Sequence, residues 1–508
     1  MSRSSIVAAW AKRHLDLLAL VLVGLVAAAL RAAFLVRAPV FVTGDSESYL
    51  GPAFDLARGL GFDLSLKRTP AYPGFVALVI GAWGEDLRAL ALAQHILGIL
   101  TAVLTFVLGR LAFGWGVGLA AGLLTALNGA LVLVGQTVMT EALFVPLVLG
   151  ALTALVAALR TGRLPLYALA GLLLGAATLT RPVAQALAPL VPLAVLLVER
   201  RWRPTLVFSA VALGAFVVTL APWVLRSASE QDSASVGSLG QTLVGRTARH
   251  DRGQFVYYDP VVHDAEPDPY RLQARRVLQQ AAENGSSGKA IHTRLRRELG
   301  LSVAETDRLM RDLAIEAIQR RPDYYLQGTL QRFIRLSLGS VERLPAYQNT
   351  SDVARQRWED PETRHLLAPT SVAEQRAAPA AGTLVSIYQP GYLGALLPLL
   401  AIAGLAITLV RGTTRPAAIL GLAALVLLFT SAALVGNVAR YRFPEDPLLA
   451  VLACGAIAAV ADAVRRAIRR RKVAQGRVSR LTENAEDKPP RHDSAPRGSA
   501  SPIGDARP

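Results

Sequence analysis

The stretch LDLLALVLVGLVAAALRAAFLV at residues 15–36 decides the fold class of this chain. As a helix, its 22 residues extend about 33 Å, which is enough to cross the hydrocarbon core of a bilayer. Lys12 and Arg13 precede it, where the positive-inside rule places cytoplasmic charge. The run is too long for the core of a signal peptide, so the sequence predicts a retained transmembrane helix.

Nine further apolar runs indicate a polytopic membrane protein. Of 508 residues, 52% are hydrophobic and only 18% are charged, against about 25% in soluble proteins. We therefore predict an all-α membrane protein with about ten transmembrane helices. Residues 70–83 are too short and too rich in proline and glycine to span easily, and we expect an interfacial or re-entrant helix there. The further predicted spans are residues 87–108, 115–134, 138–159, 166–179, 183–198, 205–225, 384–410, 417–436 and 444–460.

Basic residues predict the orientation in a plasma membrane. With the N-terminus inside, the predicted inner connections are basic, as in the ERRWR run at 199–203. Both termini are then cytoplasmic, and this distribution of the +17 net charge argues against a nucleic-acid partner. The predicted parts are a cytoplasmic N-terminus (1–14), a membrane module (15–225) with a first outer loop (37–86), an extracytoplasmic, mainly helical domain (226–383), C-terminal membrane helices (384–463) and a basic, largely disordered cytoplasmic tail (464–508).

The outer segment contains helical patterns at residues 267–282 and 304–320, followed by an amphipathic stretch at 324–338. Leu326, Leu330 and Ile334 share the apolar side of that stretch. Such a helix lies flat on the outer leaflet or packs into the core of the outer domain, and the sequence leaves both alternatives open.

Charged residues gather at the predicted outer rim of the membrane, where we expect one outward-facing pocket. Each of them also has a structural interpretation. Asp45 fits a helix N-cap, Glu141 fits the first turn of a helix, and Arg181 fits an anchor that reaches lipid phosphates. The gathered residues are Asp45, Glu47, Arg68, Glu141, Arg181, Arg226, Arg440 and Arg442.

Six short motifs in this region resemble those of bacterial GT-C glycosyltransferases, in particular the relatives of protein O-mannosyltransferases and of the lipid A aminoarabinose transferase. The resemblance runs from about residue 15 to residue 460 and does not inform residues 230–380. Its motifs are GDSESY at 44–49, RTPAYPGF at 68–75, TEAL at 140–143, GAATLTRP at 175–182, PWVLR at 222–226 and RYRFP at 440–444.

The resemblance implies an inverting transferase that takes a sugar from a polyprenyl phosphate in the outer leaflet and gives it to an acceptor glycan, lipid or protein. It makes Asp45 and Glu141 the catalytic candidates, with Asp45 at the family's catalytic acidic position. It makes Arg68, Arg181, Arg440 and Arg442 candidates for the donor phosphate, since guanidinium groups bind phosphate in a bidentate manner. The further substrate-binding candidates are Glu47, Tyr49, Arg226 and Tyr441.

A divalent metal is the one cofactor that the resemblance leaves open. Asp45 and Glu47 form an Asp-x-Glu pair, which departs from the Asp-x-Asp or Asp-Glu of some relatives. Two carboxylates are able to ligate Mg²⁺ or Mn²⁺, so a metal site at Asp45 and Glu47 remains an alternative.

A polytopic transporter or lipid flippase is the alternative function. Charges at mid-depth inside the spans, or two similar halves, would favour it. The sequence indicates instead that the charges concentrate at one rim.

The predicted topology is testable by labelling from outside with a membrane-impermeant thiol reagent, after Cys454 has been replaced by serine. We expect an Ala265→Cys variant to react and an Ala474→Cys variant to stay unlabelled, because the first lies in the outer segment and the second in the tail. The reverse pattern would overturn the orientation and the outward-facing pocket with it.

Overall fold

The computed structural model of this chain describes residues 3–38, 40–42, 45–64, 68–231, 238–247, 268–284, 288–338, 391–410, 416–435 and 439–486. Within these residues the regular structure is helical, apart from one backbone bridge between Phe41 and Thr137. The prediction of an all-α membrane fold is confirmed. Contacts divide the chain into two compact units, residues 1–457 and 458–508.

The α-helices are joined by short turns through most of the membrane region. Short 3₁₀-helices occur at Pro182–Leu187 and Ala439–Arg442. The helices are α1 Arg3–Arg37, α2 Glu47–Ala57, α3 Ala71–Trp83, α4 Leu87–Phe113, α5 Trp115–Ala126, α6 Gly129–Gln136, α7 Glu141–Thr161, α8 Leu164–Thr180, α9 Leu190–Glu199, α10 Trp202–Gln231, α11 Leu239–Thr247, α12 Pro269–Glu283, α13 Gly288–Leu299, α14 Val303–Arg320, α15 Pro322–Leu338, α16 Gly391–Val410, α17 Ala418–Thr430 and α18 Asp446–Glu486.

Six helical segments in the described residues are long and apolar enough to cross a membrane, and the bent pair of α5 and α6 makes a possible seventh span. The chain is therefore a multi-pass membrane protein. Three shorter apolar helices, Leu164–Thr180, Leu396–Val410 and Ala418–Leu434, lie where three more spans are predicted. The count of ten stays a prediction.

The bend between α5 and α6 has a local cause. Asn128 lies at the break, and its side-chain oxygen accepts hydrogen bonds from the backbone amides of Ala130 and Leu131, at 3.0 and 3.2 Å. The first backbone amides of α6 have no partner within that helix, and the Asn128 cap satisfies two of them. The nitrogen of the same side-chain amide is a donor within the bundle, and it contributes to the site described below.

Small residues let two neighbouring membrane helices approach closely. Gly171 and Gly175 of α8 face α10, where a Cβ on Gly171 would overlap the carbonyl oxygen of Ala212 and one on Gly175 would lie 2.6 Å from Thr219 Cβ. Close backbone approach at glycine is a usual way to pack helices in a bilayer, where no hydrophobic effect drives them together.

The short helices α11–α14 have a hydrophobic core of their own. The predicted helices at 267–282 and 304–320 are confirmed as α12 and α14. Ser302 begins α14 with a capping box, in which its hydroxyl and the Glu305 side chain each bond the other's backbone amide. The core is formed by Leu243, Val244, Val277, Leu278, Ile291, Leu295, Met310 and Leu313.

Helix α15 bears on both alternatives for the amphipathic stretch. Leu326, Leu330, Ile334 and Leu338, one turn apart, are 41% to 59% exposed. Phe333 and Leu336 of the same helix pack against Leu428 of α17, so one side of α15 belongs to a protein core. Contact of the exposed apolar stripe with lipid stays a prediction. Helix α3 lies in the predicted interfacial or re-entrant segment, and its apolar side packs under α2.

The tail prediction needs correction. We predicted that residues 464–508 would be largely disordered, but α18 continues as a helix to Glu486. Arginine and alanine, both good helix formers, make up ten of the 23 residues at 464–486, so helix propensity outweighs the repulsion between the arginines. Residues 487–508 lie outside the described part of the chain.

The close approach of α8 and α10 predicts opposite effects for two similar substitutions. Gly171→Ala should lower the free energy of unfolding by about 1–3 kcal/mol, because its Cβ overlaps the Ala212 carbonyl. Gly214→Ala should stabilise by up to about 1 kcal/mol, because nothing lies within 4 Å of its Cβ position and alanine favours a helix. Thermal unfolding in one detergent measures both. Equal stability of the two variants would contradict this packing.

Candidate active site

A short backbone bridge fixes the entrance to the first outer loop. The amide of Phe41 donates to the carbonyl of Gln136 at 2.9 Å, and the amide of Val138 donates to the carbonyl of Phe41 at 3.0 Å. The Ser46 hydroxyl then donates to the Val138 carbonyl at 2.9 Å. These bonds hold Asp45 next to the segment that begins α7, so residues about ninety positions apart enter one site.

Buried amide side chains support this bridge from below. The Gln136 side chain donates to the Ala38 carbonyl at 2.8 Å and contacts the His95 ring at 2.7 Å. The Gln94 side chain donates to the Gly135 and Thr137 carbonyls and accepts from the Tyr72 hydroxyl at 2.7 Å. Unpaired polar groups are costly inside a protein, so these hydrogen bonds favour one conformation of the loop entrance.

The first charged pair of the site joins Asp45 to Arg68. Arg68 Nη2 lies 2.7 Å from Asp45 Oδ1, and Arg68 Nη1 donates to the Tyr49 hydroxyl at 2.7 Å. The guanidinium also lies 4.4 Å from the centre of the Tyr49 ring. Burial raises the pKa of Tyr49, so its hydroxyl stays protonated. Asp45 is not a helix N-cap, because Ser46 occupies that position of α2.

The second charged pair joins Glu141, the first residue of α7, to Arg181 at the end of α8. Glu141 is 2% exposed and Arg181 15%. The Arg181 guanidinium also contacts the rings of Phe144 and Tyr441, at 5.5 and 5.1 Å from their centres. The lipid-anchor interpretation of Arg181 is therefore wrong, because the side chain points into the protein and binds a buried carboxylate.

The two pairs belong to one site. The Thr69 hydroxyl donates to the Thr180 carbonyl at 2.8 Å, which places Arg68 and Arg181 on adjoining residues of two segments. Tyr49 lies close enough to both pairs for all four charges to act on it. Residues from the first loop, α7 and the end of α8 thus converge as the sequence predicts.

A third charged pair lies where the C-terminal motif begins the last helix. Arg442 Nε lies 3.0 Å from Asp446 Oδ1, and the Asn128 side chain donates to Asp446 Oδ2 at 3.1 Å. Glu445 between them is 1% exposed. Its Oε2 is buried with no hydrogen-bond partner, which is costly for a carboxyl group.

The remaining predicted residues have different positions. Glu47 is the first residue of α2 and is half-buried. Arg226 donates to the Phe62 carbonyl at 2.9 Å and lies against the Phe62 and Trp223 rings, so its contacts hold the far end of the first loop. Arg440 lies in the 3₁₀ turn beside Tyr441, and its side chain is outside the described part of the structure.

The side chains of the site include few ligands for a metal ion. In the described residues no group of three or more histidine, cysteine or carboxylate side chains lies close enough to hold one. Asp45 is paired with the Arg68 cation, a poor arrangement for a metal ligand. The metal role of Asp45 and Glu47 therefore remains a prediction, and no step below depends on it.

Sequence reasoning missed three buried residues and one partly buried residue. We placed the charges at one rim, but Arg31 lies inside the first span, 1% exposed, where it donates to the Ala27 and Ala126 carbonyls. Asn128, Glu445 and Asp446 also belong to the polar interior. For Glu445 and Asp446 the sequence contained a signal, because two acids stand directly after RYRFP at the start of an apolar run.

Chemically, the site combines carboxylates that accept a proton with guanidinium groups that bind a phosphate. It is held by membrane helices, with Asp45 on a loop and Glu141 on a helix. Such a set suits a transfer reaction in which a hydroxyl loses a proton while an anionic group departs.

Comparison with known proteins agrees with this chemistry. The family model described as dolichyl-phosphate-mannose-protein mannosyltransferase matches residues 67–225, less than a third of the chain, and the match includes Arg68, Glu141 and Arg181. It supports the resemblance stated from the motifs. No protein of curated function matches the chain in sequence.

Several solved structures are similar over most of this chain. The archaeal oligosaccharyltransferase AglB from Archaeoglobus fulgidus, in complex with an inhibitory peptide and a dolichol-phosphate, is 13% identical, with a TM-score of 0.48, and the match covers 95% of this chain and 53% of AglB. ArnT from Cupriavidus metallidurans, bound to undecaprenyl phosphate, is 13% identical, with a TM-score of 0.41 and coverage of 87% and 79%. This chain thus spans about half the length of the archaeal enzyme and more than three quarters of the bacterial one.

Proposed function

We propose that this protein is an integral-membrane glycosyltransferase that moves a sugar from an outer-leaflet polyprenyl phosphate to an extracytoplasmic acceptor, with inversion at the anomeric carbon. The observation that carries the proposal is the convergence of Asp45–Arg68 and Glu141–Arg181, from three distant segments, into one site. The family match over residues 67–225 supports the same reaction class.

The paired arginines support a role in binding the donor phosphate. Arg68 is part-exposed and Asp45, its partner, is 36% exposed, so a phosphate is able to compete for this guanidinium. A phosphate offers a bidentate partner of the same geometry as a carboxylate. Binding the donor through Arg68 would loosen its hold on Asp45 and leave that carboxylate available as a base.

The proposed step is a single displacement. The acceptor hydroxyl oxygen forms a bond to the anomeric carbon, and the bond from that carbon to the phosphate oxygen breaks. The hydroxyl proton goes to Asp45, and the bonding electrons leave with the polyprenyl phosphate, whose charge the arginines stabilise. A weak base is sufficient, because the proton is lost only as the sugar is transferred.

The Glu141–Arg181 pair acts beside this step by holding the arginine in place. Glu141 is nearly inaccessible, so its main contact is with Arg181, and removal of either partner would leave a buried charge. We assign Glu141 a positioning role and Arg181 a phosphate-binding role. Tyr49 and Tyr441, stacked with the two arginines, shape the pocket around them.

Orientation and domain roles complete the proposal. The active site faces the outside of the plasma membrane, with both termini cytoplasmic and residues 226–383 extracytoplasmic. A nucleotide sugar is not available on that side, so a lipid must carry the activated sugar. The acceptor is a glycan, a lipid or a protein.

The direct test is transfer itself. The purified protein in lipid nanodiscs receives a panel of polyprenyl-phosphate sugars labelled in the sugar, together with cell-envelope acceptor fractions. Label in a new product supports the transferase. Movement of label across the membrane of a sealed vesicle, with no new product, would favour the transporter or flippase alternative. The observation that supports this alternative is Arg31, a charged residue buried inside a membrane span.

Asp45→Asn should lower turnover by about 10²-fold or more, because the amide cannot accept the hydroxyl proton. Donor affinity should not weaken, since Arg68 loses its competing carboxylate. Single-turnover kinetics and donor binding measure the two separately. The matched control is Asp55→Asn, an exposed acid of α2, which should transfer normally. Near-normal turnover of the Asp45 variant would remove Asp45 from the mechanism.

Arg181→Lys should raise the donor KM by about 10-fold with a smaller change in kcat, because lysine keeps the charge but lacks the planar fork. The lysine variant is preferable to alanine, which would leave Glu141 buried without a cation and cost about 3–5 kcal/mol of stability. Arg163→Lys, at an exposed turn, is the control. An unchanged donor KM in Arg181→Lys would show that the fork does not bind the donor.

A further inference from the structure

Glu445 is the buried acid that the proposed step leaves unexplained. It follows the RYRFP motif and immediately precedes the membrane span that begins at Asp446. The residue is 1% exposed, and its Oε2 has no hydrogen-bond partner although it is shielded from solvent. A group in that state usually indicates a function that offsets its cost.

The surroundings of Glu445 identify the kind of ligand that its free oxygen would meet. Arg442 precedes Glu445 by three residues and is paired with Asp446, which follows Glu445 directly, and Arg181 reaches the same turn by stacking on Tyr441 at 5.1 Å. Arg181 and Arg442 both act electrostatically on Glu445, as does Asp446. Both guanidinium groups are able to bind a phosphate in a bidentate manner, which favours an anionic ligand at this turn.

The protonation state follows from the same neighbours. Burial, with a smaller contribution from Asp446, raises the pKa of Glu445 well above its usual range, while Arg181 and Arg442 oppose the shift. Those arginines are already shared with Glu141 and Asp446. A neutral carboxyl group carries an O–H that is able to donate a hydrogen bond to an anion.

We propose that the protonated Glu445 carboxyl donates a hydrogen bond to a non-bridging oxygen of the donor phosphate, between the guanidinium groups of Arg181 and Arg442. This inference rests on the proposed function and adds a residue to it. The phosphate then meets two charged donors and one neutral donor, and the neutral acid avoids the repulsion that a third carboxylate would cause.

The test compares Glu445→Gln with Glu445→Ala. The probe is the methyl ester of a polyprenyl phosphate, which keeps one negative charge from about pH 5 to about pH 9 because it has no second ionisable hydroxyl. Binding is measured in nanodiscs by titration. Glutamine keeps a neutral donor and should bind like the wild type at low pH, whereas alanine should bind about 10-fold more weakly.

The pH dependence separates a protonated acid from a structural role. As pH rises through the raised pKa of Glu445, the wild type loses the donor and gains a negative charge, so its affinity should fall by about 10-fold or more. Glu445→Gln cannot lose a proton and should bind equally across the range. The neighbouring groups Tyr441, Asp446, Glu141, Arg181 and Arg442 are the same in both proteins, so their contribution to binding cancels in the comparison.

Three outcomes overturn the proposal. The first is that Glu445→Gln binds the probe as weakly as Glu445→Ala. The second is that Glu445→Ala binds like the wild type. The third is that the wild type and Glu445→Gln show the same pH dependence of binding. If alanine fails to fold, the pH profile of glutamine still decides. The control is Asp312→Asn, with an exposed acid of α14. If the wild type transfers sugar and any of these outcomes occurs, the role of Glu445 is rejected and the glycosyltransferase function stands. If the wild type neither binds the probe nor transfers sugar, both the role of Glu445 and the glycosyltransferase function are rejected.

Discussion

The ion pair between Glu141 and Arg181 is the interaction on which the site depends. Glu141 begins a membrane helix and is 2% exposed, so its charge is tolerable only beside a cation. The pair joins the start of α7 to the end of α8. Through the Tyr441 ring it also reaches the C-terminal motif, about 260 residues away in sequence. Three segments therefore share one fixed centre of charge.

Around that centre, acids and arginines alternate in a way that suits an anionic substrate. Each of Arg68, Arg181 and Arg442 has a carboxylate partner in this structure. Such pairing keeps the guanidinium groups in place before a phosphate arrives, which lowers the cost of ordering them on binding. The most exposed of the three pairs, Asp45–Arg68, is also the one whose exchange with a phosphate would release a base.

The buried polar side chains next to the first outer loop have a structural role. Gln94 of α4 and Gln136 of α6 donate to backbone carbonyls at the loop entrance, and His95 of α4 contacts the side-chain oxygen of Gln136. Their bonds cannot be replaced by water at this depth, so they restrict Asp45 to one position. Chemistry at the rim therefore depends on hydrogen bonds inside the bundle.

The sequence by itself determined the membrane class, the helices and most of the charged site, because apolar runs and costly charges are visible without a structure. It also predicted that Asp45, Arg68, Glu141 and Arg181 lie on one side of the membrane. Only the tertiary structure decided which acid pairs with which arginine, since partners such as Glu141 and Arg181 meet through helix packing. It also revealed the buried Arg31 and the unpartnered Glu445, because burial and hydrogen-bond satisfaction depend on neighbours that no local pattern specifies.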